Sequence, residues 1–376
     1  MDAKLTQKIG IIGDALAPHF NEAYANQMHL LSQELEVPVL TCHNLGFLPL
    51  KKMGQYLIIN AQFLRGQRRN PVLSLVNGAF LYPFVKLFER RFDVIYLSAG
   101  ISSGFLPILD LKKCIPIINT LPFSHDDETV KTFTGKFAPK LLAIIAQSRR
   151  IKERLISMGV ESQKIHLAYP WVDLSRFKYS EPPNIKEFKI LFASAPNIES
   201  EREDLFAEKG LPLLLESFAE FSQHHEASLC LLWRGKYNEA LYRRIKELNL
   251  ESRVEVINRV ADTPPLYAQT HITVTPFLTL SDSPEIPLSA VESLACGRPV
   301  VTTDVAEIAE IVGGHKCGCV AKPVKQDFLS ALLECKRNYP VYQVNCRRVA
   351  EELFSLNMEQ LARAVACLCE QRSNRS

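Results

Sequence analysis

PFLTLSDSPEIPLSAVESLACGRPVVTTDVAEIAE, residues 276–310, is the stretch on which the reading of this chain turns. An apolar run ends at Phe277 and a polar loop follows. SAVESLACG then reads as a helix stopped by Gly297, and PVVTTD as the next strand. Strand, loop, helix, tight turn and strand in this order form the repeating unit of a parallel α/β sheet. Glu292 falls in the first turns of that helix, at the carboxyl end of the sheet, where ligands of such folds bind. A carboxylate there can accept both hydroxyls of a ribose, each charge-assisted bond contributing roughly 1.5–3 kcal/mol when shielded from water. The helix start at Leu288 and Ser289 offers backbone N–H groups and a positive dipole end, which suit a diphosphate. Taken alone, Glu292 reads equally well as a solvated helix residue.

The same alternation extends in both directions. Lys8–Asp14, Pro38–Cys42, Phe92–Gly100, Ile115–Pro122, Leu141–Ser148 and Lys164–Tyr169 are short apolar strands, with Phe20–Leu35 at helical spacing between the first two. Continuous apolar strands separated by helices indicate a parallel sheet covered on both faces. The prolines and polar residues of Tyr179–Glu187 interrupt the pattern, and a second series follows from KILFASA through PVVTTD. We expect an N-terminal Rossmann-like domain over 1–180, a C-terminal one over 181–357, and a helix over 358–376 that crosses back to the first.

A chain of 376 residues exceeds the size at which one hydrophobic core keeps growing, in keeping with two domains. With 47% hydrophobic and 23% charged residues the composition is that of a soluble globular protein. No run approaches the roughly 18 apolar residues of a membrane span, and the start reads as a strand rather than a signal peptide. Ten cysteines, sparse and mostly in apolar segments, suit reduced thiols and a cytoplasmic location. His315, Cys317 and Cys319, or Cys367 and Cys369, lack the spacing of a zinc site. Residues 1–178 hold 22 Lys and Arg against 14 Asp and Glu, and the remainder 22 against 27. The basic half favours an acidic or lipid-surface partner, or is an ordinary solvated face. Leu45–Asn70, with Lys51, Lys52, Arg65, Arg68 and Arg69, is a candidate for resting on an anionic membrane at its inner face. No nucleic-acid partner is expected.

ESLACGRPVVTTDVAEIAEIV resembles the donor-site signature of the retaining glycosyltransferases of family 4, which share the GT-B fold. EKGLPLLLESFAEF (208–221), SRRIKERLISMGVESQKIHLAYPWVDLSRF (148–177) and RVEVINRVADTPPLYAQTHITVTPF (253–277) match further parts in the same order. The resemblance covers roughly Ser148 to Lys322, and the first 147 residues in outline. It implies two facing Rossmann-like, doubly wound domains with a central cleft. It also implies transfer of a sugar from a nucleotide diphosphate sugar to an acceptor hydroxyl with retained configuration, without a metal or other cofactor. By position, Glu292 matches the ribose-binding glutamate and Lys209 the lysine that neutralises the donor diphosphate. Arg259 and Val260 match the loop along the nucleobase. His125 lies where the family often keeps a histidine near the donor sugar or phosphate; it reads equally as a loop histidine beside Asp126 and Asp127.

Three departures stand out. The family's second glutamate, eight positions before the first, is Pro284 here; Glu285, one residue late, is the candidate sugar-facing group. Pro287 removes an N–H from the same loop. The family's arginine before the lysine is represented by Arg202, with Arg234 as substitute. In place of a glycine pair after the first strand stand Gly13 and Asp14, with Asn21 beyond. These departures keep two other readings open: a non-catalytic nucleotide-binding scaffold and a nucleotide-sugar epimerase.

Overall fold

The computed structural model describes residues 8–14, 23–43, 50–60, 82–98, 101, 105–121, 128–184, 186–194, 204–234, 238–280, 283–358 and 361. The chain divides into two compact units, Met1–Ala168 with Asn357–Ser376, and Tyr169–Leu356.

The first unit is built on an eight-stranded sheet. Its strands are β1 (Ile9–Asp14), β2 (Val39–His43), β3 (Leu50–Met53), β4 (Tyr56–Asn60), β5 (Val94–Ser98), β6 (Cys114–Ile118), β7 (Ile144–Ala146) and β8 (Ile165–Leu167). They lie in the order β3-β4-β2-β1-β5-β6-β7-β8, and all pairs are parallel except β3 with β4. Every residue of β5 and β6 is buried, as expected of strands covered on both faces. Helices α1 (Ala23–Glu34), α2 (82–89), α3 (Glu128–Thr132) and α4 (Arg149–Ser157) connect them. Ser148 caps α4, its hydroxyl accepting from the Ile151 N–H at 3.0 Å. The strand order turns between β1 and β5, where Gly13 pairs with Ser98. Within Leu45–Asn70, the described residues form the β3–β4 hairpin, and β3 is the edge of the sheet among the described strands. Consecutive lysines at 51 and 52 hide the alternation of a strand, yet lysine on an edge is a common guard against further pairing. Of the expected C-terminal helix, residues 358 and 361 are described; buried Leu361 offers its carbonyl to the Tyr96 hydroxyl of β5 at 3.2 Å.

The second unit holds a six-stranded, all-parallel sheet, built from β9 (Phe188–Phe192), β10 (Ala227–Leu232), β11 (Val254–Ile257), β12 (Ile272–Thr275), β13 (Val300–Thr303) and β14 (Gly318–Ala321). Its helices are α5 (Leu205–Glu208), α6 (Leu211–His224), α7 (Glu239–Glu247), α8 (Pro264–Ala268), α9 (Leu288–Ala295), α10 (Ile308–Gly314), α11 (Lys325–Arg337) and α12 (Tyr339–Leu353). The order β11-β10-β9-β12-β13-β14 is that of a doubly wound nucleotide-binding sheet, with its switch point between β9 and β12. Leu211, Leu214, Leu215, Phe218 and Phe221 recur at helical spacing along α6 and are all buried. Each such side chain contributes roughly 1.5–3 kcal/mol by leaving water.

The units part after Ala168, ahead of the expected break at 180. Trp171, Val172 and Phe177 are buried, the last two in the core of the second unit, and the Val172 N–H donates to the Phe354 carbonyl at 2.9 Å. The proline-containing stretch after them is likewise tied to this unit. Arg298, fully buried, donates to the Ser180 carbonyl at 2.8 Å, the Ser180 hydroxyl at 2.7 Å and the Glu181 carbonyl at 3.0 Å. It also reaches the Tyr267 carbonyl at 3.0 Å. Gly297, at φ +77°, lies under the Tyr179 ring, 2.6 Å from where a Cβ would stand. The Gly-Arg of CGRPVV thus acts as a clasp on residues 179–181.

Candidate active site

Two chain segments leave the sheet at the switch point, one after β9 and one after β12. They are locked together at Gly210, whose φ of +71° suits glycine and whose Cβ, if present, would meet the Pro276 carbonyl oxygen at 1.7 Å. The Leu278 N–H donates to the Glu208 carbonyl at 2.9 Å beside it. Lys209, between α5 and α6, is held in place by this lock and is buried. Its ammonium lies 3.4 Å from the Ser283 hydroxyl and over the Phe277 ring, 5.3 Å from the centroid. The Lys-Gly pair therefore has two separate functions: glycine permits the close approach, and lysine brings a positive charge to the loop after β12.

Helix α9 begins just beyond that loop. Pro287 precedes it in extended conformation, and no side chain caps its start. Ser289, in the first turn, places its hydroxyl 2.9 Å from that of Ser194 at the exit of β9. Leu288 and Glu292 are four residues apart and so share a face of the helix. Glu292 is buried, and the Tyr267 hydroxyl of α8 lies 2.9 Å from its Oε2. Burial pushes this carboxyl up to about 7, against the Tyr267 hydrogen bond and the Arg176 guanidinium, which both favour its charged form. Burial, then the Glu292 charge, raises the Tyr267 phenol well above its ordinary value, so it keeps its proton. Tyr267 was not singled out in the sequence; PPLYA marks a short helix, but nothing local links it to a carboxylate 25 residues on.

Glu285 is buried and directed elsewhere. Its carboxylate accepts from the Glu307 N–H at 2.9 Å, and its carbonyl accepts from the Ile308 N–H at 3.0 Å, docking the loop on the start of α10. Arg234, at the exit of β10, is also buried. Arg259 and Val260 are exposed in the loop after β11, close in sequence to Asp262, which pairs with Arg176 at 2.8 Å. In the first unit Gly13 and Asp14 end β1; Gly13 is buried, and Asp14 pairs with Cys42 in the ladder. His125, Arg202 and Asn21 lie outside the described residues.

A buried carboxylate on α9, a buried ammonium beside the loop that leads into α9, and the uncapped start of that helix thus belong to the segments that leave the switch point of a doubly wound sheet. Such an arrangement is chemically suited to a nucleotide diphosphate. Residues 187–338 match the family model for glycosyl transferases group 1. The chain is 25% identical over 294 residues to MMP alpha-(1->4)-mannosyltransferase of Mycolicibacterium hassiacum, covering 70% of this chain and 67% of that one. It is 22% identical over 300 residues to alpha-monoglucosyldiacylglycerol synthase of Streptococcus pneumoniae, covering 74% and 66%. Each match thus spans about two thirds of the relative's length. Among solved structures, Anabaena HepE in complex with UDP-glucose superposes with a TM-score of 0.67 at 16% identity, over 98% of this chain and 100% of that one. The glycosyl transferases group 1 match thus falls within the second unit, and the fold of the chain is GT-B.

Proposed function

We propose that the chain transfers a sugar from a nucleotide diphosphate sugar to an acceptor hydroxyl with retention of configuration. The observation that carries this reading is that buried Glu292, buried Lys209 against the loop before α9 and the uncapped start of α9 all lie on segments that leave one switch point. Ionised Glu292 accepts the two ribose hydroxyls, while Arg259 and Val260 run beside the base. The diphosphate meets the N–H groups of Leu288 and Ser289 and the Lys209 ammonium, with Arg234 in support. Negative charge builds on the diphosphate as the glycosidic bond breaks, so a cation already fixed in place stabilises the transition state more than the ground state. The leaving phosphate takes the acceptor proton. Glu285 has its carboxylate on Glu307 and shapes the loop rather than touching the sugar. HepE binds UDP-glucose, which supports a nucleotide sugar as donor.

The acceptor belongs to the first, more basic unit, with 22 Lys and Arg against 14 Asp and Glu over residues 1–178. Its β3 edge carries Lys51 and Lys52 and is the segment we assign to an anionic membrane surface or polyanionic acceptor. Incubation with UDP-, GDP- and ADP-sugars and a set of acceptors tests the function, with the anomeric configuration of the product read by NMR. A retained glycoside is expected. Binding without turnover would instead indicate a scaffold, and sugar interconversion without acceptor an epimerase.

A further inference from the structure

The Tyr267 hydroxyl stands between two oxygens, Glu292 Oε2 at 2.9 Å and the Ser289 carbonyl at 3.1 Å, and its ring is wholly buried. One hydroxyl has one proton to give and two lone pairs to receive with. The Ser289 carbonyl can only accept. Glu292 accepts when ionised and can donate when protonated. Two arrangements therefore satisfy the same atoms. With Glu292 ionised, Tyr267 donates to the carboxylate. With Glu292 protonated, the carboxyl donates to Tyr267 Oη, and Tyr267 turns its own proton to Ser289. We propose that Tyr267 is a positioning residue of the donor site, whose turning proton serves both charge states of Glu292 and sets the pH range over which donor binding releases one proton from that carboxyl. The proposal rests on Glu292 as the ribose acceptor. A protonated carboxyl already engaged with Tyr267 has one acceptor oxygen fewer for two ribose hydroxyls. The proton leaves for the buffer as the carboxylate takes up the ribose.

The remaining charged and titratable neighbours leave this exchange to the pair. Arg176, paired with Asp262, favours the ionised form. Cys296, at the C-terminal cap of α9, has its thiol pushed up to about 12 by burial and stays protonated. Arg347 of α12 donates to the Ala295 and Phe177 carbonyls at 2.9 and 2.8 Å, and Arg298 to the carbonyls described above. Cys346 of α12 is buried with its thiol raised well above the ordinary range. Strands β12 and β13 present no ionisable side chain to α9.

The test is calorimetric titration of UDP-glucose and GDP-mannose between pH 5.5 and 9, in buffers of different ionisation enthalpy. The pyrophosphate of these probes has no proton to exchange in this range. For the wild type, proton release is expected below pH 7 and fades above it. In Tyr267→Phe the charged form of Glu292 loses its donor, so release extends to higher pH. Affinity then falls about tenfold at pH 5.5, about fivefold at pH 7 and less than twofold at pH 9, as a shift of about one unit implies. An unchanged profile, or a loss equal at every pH, overturns the proposal; the latter marks Tyr267 as packing alone. Titration of the Glu292 carboxyl carbon by NMR in the free chain gives a second readout, in which Tyr267→Phe must move the midpoint up. Glu292→Gln separates this from the donor-site reading: wild-type affinity in that variant overturns Glu292 at the ribose, whatever Tyr267 does.

Discussion

Gly210 and Pro276 approach so closely that a Cβ on the first would lie 1.7 Å from the carbonyl oxygen of the second. This contact joins the two segments to which we assign the donor site and fixes where Lys209 stands. Gly210→Ala adds a left-handed backbone penalty of about 1–2 kcal/mol to the displacement of Pro276. We expect a total loss of more than about 2 kcal/mol in urea unfolding. Donor affinity should fall with it even where the variant remains folded.

Arg298 is a buried cation whose described partners are carbonyl groups and one hydroxyl. Arg298→Lys keeps the charge but cannot reproduce the planar fork, so several carbonyls lose their donor. Destabilisation of about 2–4 kcal/mol is expected by urea unfolding. Proteolysis should begin near Ser180, since the clasp on that stretch is gone.

The raised carboxyl of Glu292 makes a signed statement about stability. Its value is about 7 in the fold against an ordinary 4.5, so the folded state holds this proton more tightly. The penalty for ionising it is absent below about pH 4.5, grows through that window and is complete above about pH 7, reaching roughly 3 kcal/mol. His271, pushed down to about 4 chiefly by burial, acts in the opposite sense as pH falls, so the wild-type profile conceals both. Comparison with Glu292→Gln isolates the first. The variant should match the wild type near pH 4.5 and exceed its stability at pH 8, in denaturant titrations at the two values.

Under the proposed function, Lys209 and the start of α9 supply the positive potential at the diphosphate in place of a metal ion. Transfer activity should therefore survive EDTA within about twofold of its untreated rate, while Lys209→Ala lowers kcat by about a hundredfold or more, the scale for losing one electrostatic donor.

Much of this was legible in the sequence because the strands are continuous apolar runs. KILFASA, HITVTPF and PVVTTD needed no tertiary information to be read as buried parallel strands. The β3–β4 hairpin was not legible, since Lys51-Lys52 belongs to an edge that need not be apolar. Glu292 and Lys209 were read from the resemblance to the family's donor-site signature, and both lie on segments that leave the switch point. The resemblance offered Glu285, one residue late, as the sugar-facing group, and its carboxylate accepts from the Glu307 N–H, a partner 22 residues away. The Gly297-Arg298 pair read as a turn; its clasp on 179–181 depends on a contact more than a hundred residues away in sequence. Tyr267 was missed for the same reason: a local pattern shows that a tyrosine is buried, not which acid receives its proton.

The most direct test of the central claim is thermal stabilisation by UDP-glucose, GDP-mannose and related nucleotide sugars in the wild type, Glu292→Ala and Lys209→Ala. A donor at about 100 times its dissociation constant adds roughly 2.7 kcal/mol to wild-type stability. Glu292→Ala should lose most of that increment through the missing ribose bonds, and Lys209→Ala a part of it through the diphosphate. A full shift in both variants would contradict the assignment of this site.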